Sequence, residues 1–115
     1  MEPTSQLLKG NTPTLVLAVL AEGSSHGYAI VKEIGRRCEG ALDMKQATLY
    51  PVLQALERDG LIEGEWDTHN AERPRRVYRI TPAGRDDLAK RSRSWRSFAE
   101  AIDRVLGSGA DGEPA

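Results

Sequence analysis

Residues 46–66 read QATLYPVLQALERDGLIEGEW, and the change of period inside this stretch decides the fold. Leu49, Val52, Leu53 and Leu56 stand at i, i+3, i+4 and i+7, which predicts one apolar stripe on an amphipathic helix from about Gln46 to Asp59. Asp43, three residues before Gln46, is placed as its capping partner. Pro51 fits if the first turn begins near Ala47, because the amide it lacks would then be one of the unpaired ones. Gly60 ends the helix. The stripe leaves Lys45, Gln46, Thr48 and Gln54 on the solvent side with Tyr50 at the margin, and these are side chains that donate to phosphates and read base edges.

Downstream, Leu61–Trp66 and Val77–Ile80 read as two short strands, with Tyr78 and Ile80 on one face and Val77 and Arg79 on the other. The link DTHNAERPRR, residues 67–76, is polar and carries Pro74, so it is an exposed hairpin tip. Its arginines Arg73, Arg75 and Arg76 have no acidic neighbour in sequence beyond Glu72, and a cationic loop is readily laid along phosphates. Thr81 and Pro82 form a cap followed by a first-turn proline, opening a helix to about Leu106. At 1.5 Å per residue that helix is roughly 36 Å long, more than so small a core can cover. Leu88, Trp95 and Ile102 are seven apart, and Phe98 and Val105 form a companion row interrupted by Arg91. Two such rows make a narrow seam for a partner helix. The seam can pack on its own domain, but its projection beyond the core favours a second copy of the chain.

Upstream, Thr12 and Pro13 can open a helix through Leu15, Val16, Ala18, Val19 and Leu20 that ends at Gly23, with residues 6–9 forming a turn of their own or extending it. Ser24 or Ser25 can cap the next helix, whose stripe is Gly27, Tyr28, Ile30, Val31 and Ile34 and which stops near Glu39 and Gly40. Residues 1–5 and the GSGADGEPA tail, residues 107–115, have too little apolar area to order themselves. The expected organisation is therefore a mainly α chain with a small β-hairpin. A winged helix-turn-helix domain spans residues 6–80, and a long C-terminal dimerisation helix spans 81–106.

Composition limits the alternatives. The 115 residues suffice for one domain, and no apolar run approaches the roughly 18 residues of a membrane span or has the form of a secretory leader, so a cytoplasmic protein is expected. The formal charge of −1 conceals an asymmetry: residues 71–96 carry +6 and the remainder −7. Such a segment suits a polyanion, or forms a solvated helix face. Cys38 is the single cysteine, and the chain has two histidines, so no internal disulfide can form and neither metal nor cofactor is expected. His26 reads as a packing or capping residue, and His69 as a solvated wing residue. Nucleophile, base and orienting acid do not occur together, and there is no phosphate-cradling glycine loop, so an enzyme is not expected.

Three stretches carry a family likeness: LVLAVLAEGSSHGYAIVKEI from residue 15, QATLYPVLQALERDGLIEGEW from residue 46, and RRVYRITPAGRDDL from residue 75. In order and spacing they resemble the PadR family of transcriptional regulators over roughly residues 7–106, in the short form that is similar to multidrug-sensing members. The resemblance implies a homodimeric winged-helix repressor that binds double-stranded DNA at an inverted-repeat operator. By the same likeness Thr48 and Tyr50 would contact DNA with Lys45 and Gln46 nearby, while Lys9, Arg75 and Arg76 would grip phosphate. The alternative for Tyr50, less favoured than DNA contact, is packing beneath the wing. Trp95 matches an aromatic that some short members place at the dimer centre, where planar aromatic effectors stack. From its residues alone it is more often an interface anchor than a ligand plate. Where family members often have glycine before TLYP, this chain has Ala47. The rival reading is an interaction module that uses the C-terminal seam without binding DNA.

Overall fold

The computed structural model describes residues 3–69, 72 and 74–107. Helix α1 spans Pro3–Leu20, strand β1 Ser25–His26, α2 Gly27–Arg37, α3 Gln46–Arg58, β2 Ile62–Asp67, β3 Arg75–Ile80 and α4 Pro82–Leu106. The strands form one antiparallel sheet in the order β1-β3-β2. Val16, Leu17 and Leu20 of α1, Ile30 of α2, Leu49 and Leu53 of α3 and Ile62 of β2 form the centre of the core. Tyr78 and Ile80 close it from the sheet. No helix among the described residues is long and apolar enough to cross a membrane.

Both prolines inside helices differ from their expected places. α1 is continuous and begins at Pro3, so residues 3–5 are helical where no structure was expected, and Pro13 lies within the helix. Thr12 does not cap: its buried hydroxyl donates back to the Leu8 carbonyl at 2.8 Å, and Asn11 Nδ2 donates to the Leu7 carbonyl at 2.8 Å. Both side chains thus bond back to carbonyls one turn earlier, next to the turn in which Pro13 lacks a donor. Pro51 is the sixth residue of α3, past the free amides, and stays exposed, so the ring sits on the solvent side while the leucines hold the other. Lys45, not Asp43, is the residue at the cap position, without a side-chain hydrogen bond.

The hairpin is wider than expected, because Ser25 and His26 pair with Tyr78 and Val77 as a third strand. Strand pairing therefore claims the serine segment, and α2 is capped by His26, whose Nδ1 accepts from the Ala29 amide at 3.4 Å. Two residues are too few for a period to register. On α2, the Arg36 and Arg37 guanidinium groups donate to Glu33 and hold its carboxyl down at about 2.

The start of α4 matches its expected cap. Thr81 Oγ1 accepts from the Gly84 amide at 3.0 Å, and Gly107 closes the far end with φ 87°. The tail beyond it, residues 108–115, lies outside the described residues. Gly84 is buried against the loop entering β2, where a Cβ would lie 2.1 Å from the Leu61 carbonyl oxygen and 2.7 Å from Ile80 Cγ1. Backbone cannot yield there as a side-chain tip would. Gly84→Ala is expected to destabilise the fold by about 1–3 kcal/mol or more, whereas Ala83→Ser on the exposed side changes little. Thermal unfolding with the same melting temperature for both would contradict this.

Candidate nucleic-acid interface

The leucines that bury one side of α3 turn its polar side outward. Lys45, Gln46, Thr48 and Gln54 are exposed, as is Tyr50 at 51%. Tyr50 therefore is not packed away beneath the wing. Together with His26, Tyr28, Arg75 and Tyr78, Gln46 and Tyr50 line a cleft of about 440 Å³ between the N-terminal half of α3 and the wing. The cleft is open, polar on its α3 side and cationic on its wing side, the character a sugar-phosphate strand requires.

The wing arginines divide into distinct roles. Arg75 is exposed, and its Nη1 lies 2.8 Å from His26 Nε2. Arg76 turns back to the domain and forms an ion pair with Glu57 near the end of α3. Its guanidinium also sits 5.8 Å from the ring centroids of Trp66 and Tyr78. Gly64 makes room for it, since a Cβ there would come within 2.8 Å of Arg76 Nε. Arg76, expected to grip phosphate, thus also engages α3 through its charge, and it lines the same cleft as Arg75. Glu57 was missed because it lies 19 residues away in sequence; the isolated glycine within β2 was the available signal of a close approach. Burial pushes the Tyr78 hydroxyl up despite Arg76 beside it. At the tip, the His69 amide donates to Asp67 Oδ1 at 3.0 Å and holds that carboxyl below its usual range. Arg73 lies outside the described residues. Lys9 belongs to α1, and its side chain is likewise outside them.

The second candidate surface is on α4. Trp95, Phe98, Ile102 and Val105 are exposed at 45%, 52%, 40% and 84% in the single chain. Leu88, expected to be part of this row, is half-buried and packs on the domain's own core, so the uncovered seam begins at Trp95. Arg91 is neutralised by Asp87 one turn earlier. Beside Trp95, an apolar cavity of about 290 Å³ is lined by Leu7, Leu8, Leu15 and Leu42.

Three core helices, the third bared on one side as the recognition helix, and a sheet-borne wing define a winged helix-turn-helix protein, here with a long helix appended. A family model described as the transcriptional regulator PadR-like family matches residues 16–90. The chain belongs to that family, which is one of transcription factors and not of enzymes. Transcriptional regulator Rv3488 of Mycobacterium tuberculosis is 36% identical over 87 residues, covering 76% of this chain and 78% of that protein. A transcriptional regulator from Clostridium thermocellum is similar in structure with a TM-score of 0.81 at 30% identity, covering 87% of this chain and 97% of that one. Bacillus subtilis PadR, solved in complex with operator DNA, shares the fold with a TM-score of 0.64 at 22% identity, over 69% of this chain and 45% of that one.

The Arg76–Glu57 pair ties the wing to α3 with both side chains about a third exposed, at 32% and 31%. Glu57→Gln, which keeps the shape and removes the charge, is expected to cost about 1 kcal/mol and to speed hydrogen exchange of the β3 amides. Chemical denaturation and exchange rates identical to wild type would show that the pair does not hold the wing.

Proposed function

We propose that the chain is a homodimeric, sequence-specific DNA-binding regulator, acting as a repressor in the cytoplasm. One observation carries the reading: α3 spends its apolar side on the core and presents Lys45, Gln46, Thr48, Tyr50 and Gln54 beside a cationic wing. In this reading Thr48, Tyr50 and Gln54 face base edges, while Lys45, Lys9, Arg73 and Arg75 meet phosphates. Arg76 serves through its hold on Glu57. Membership of the family whose Bacillus subtilis PadR was solved with operator DNA supports the same kind of partner here.

The seam from Trp95 to Val105 supports dimerisation, because a soluble chain gains by covering such a row. Two symmetry-related α3 helices would then enter successive major grooves about 34 Å apart, and the operator is an inverted repeat. Phe98→Asp with Ile102→Asp is expected to yield a monomer in sedimentation and to weaken duplex binding about a hundredfold or more. An intact dimer in that variant removes the seam from the interface. A wild-type monomer that ignores every duplex at low salt favours the interaction-module reading instead.

The cavity beside Trp95 favours an added role, release of DNA by a planar aromatic effector. Trp95 and Phe98, with ring centroids 6.2 Å apart, offer stacking faces. In a Trp66→Phe background an acridine dye is expected to quench Trp95 fluorescence. Replacing Trp95 by alanine should weaken dye binding by about tenfold or more. Unchanged affinity in that variant rules out the stacking role.

A further inference from the structure

We propose that His26 and Arg75 together form a clamp for one phosphodiester group of DNA, at the mouth of the cleft between α3 and the wing; this rests on the DNA-binding reading above. His26 lies in β1 opposite Val77, two residues along β3 from Arg75, so the ladder brings the two side chains together. The ring is asked to accept twice. Its Nδ1 faces the Ala29 amide at 3.4 Å, and its Nε2 faces Arg75 Nη1 at 2.8 Å. A neutral imidazole has one acceptor nitrogen and one N–H, and a guanidinium only donates. One of the two contacts must therefore be lost in the free protein.

An anionic oxygen resolves the conflict. If a phosphate accepts from both Arg75 and the His26 Nε2–H, Nδ1 keeps its lone pair for Ala29 and α2 keeps its cap. The setting fits such a group: Gln46 and Tyr50 of α3 and Tyr28 of α2 line the same cleft. Asp67, opposite Arg75 in the ladder, accepts from the His69 amide. The ligand is the backbone of the duplex lying against α3, and His26 becomes a positioning donor for it as well as a helix cap.

The test separates capping from clamping. His26→Asn retains a side-chain oxygen able to cap α2 but not the reach of Nε2–H, and His26→Ser does the same with a shorter side chain. Anisotropy is measured against a duplex that wild-type protein has enriched from random sequence. Both His26 variants are expected to melt near wild type and to bind about three- to tenfold more weakly, with the salt slope unchanged because no cation is removed. Arg75→Ala lowers both affinity and salt slope, the latter by about 1. The double variant His26→Asn with Arg75→Ala loses less than the product of the single losses, because both groups serve one phosphate. Wild-type affinity in the His26 variants, or losses that simply multiply, overturns the clamp while leaving the DNA-binding reading standing. If the wild type enriches no duplex at all, both fall together.

Discussion

One residue, Thr81, joins the segments that carry the wing, the recognition helix and the seam. Thr81 Oγ1 donates to the Gly60 carbonyl at 2.7 Å and accepts from the Gly84 amide at 3.0 Å, while the Thr81 amide donates to the Leu61 carbonyl at 3.1 Å. The end of α3, the entry to β2, the exit from β3 and the first turn of α4 are thereby joined within a few residues. Gly84 lets the helix approach that closely. A longer side chain at position 81 or any side chain at 84 would meet these neighbours and disturb the way α4 leaves the domain.

Much of this was legible because it is periodic or local. The leucine stripe of α3, the alternation in β3 and the Thr81-Pro82 start are properties of a few neighbouring residues, and the structure reproduces them. The features that escaped depend on distant partners. Ser25 and His26 become a strand because Val77 and Tyr78 offer an edge, and Arg76 is drawn inward because Glu57 lies beneath it. Leu88 belongs to the heptad row by spacing, yet sits near enough to the start of α4 to be covered by its own domain. Periodicity shows which side of a helix is apolar, not which body covers it.

The charge count shows the same limit. Of the nine basic residues in 71–96, Arg76 and Arg79 are paired with Glu57 and Glu63, which lie outside that segment and so are not in its count. Local pairs of this kind screen one another and contribute little counterion release, so the attraction of the surface for a polyanion is smaller than +6 suggests. What distinguishes the cleft is placement: Arg75 lies beside the exposed polar side of α3, where a phosphate strand and base edges can be met together.

α1 connects the two candidate surfaces. It packs against α3 through its buried side, while Leu7 and Thr14 on its outer side line, with Trp95 and Phe98, a shallow groove between α1 and α4. Interiors packed this densely do not absorb a displaced helix by soft deformation. On the proposed reading, a molecule lodged at Trp95 would alter DNA affinity only to the extent that it bound one placement of α1 and α4 better than another. Tight binding alone is insufficient: on the proposed reading, an effector would have to distinguish a dimer geometry that spans two grooves from one that does not.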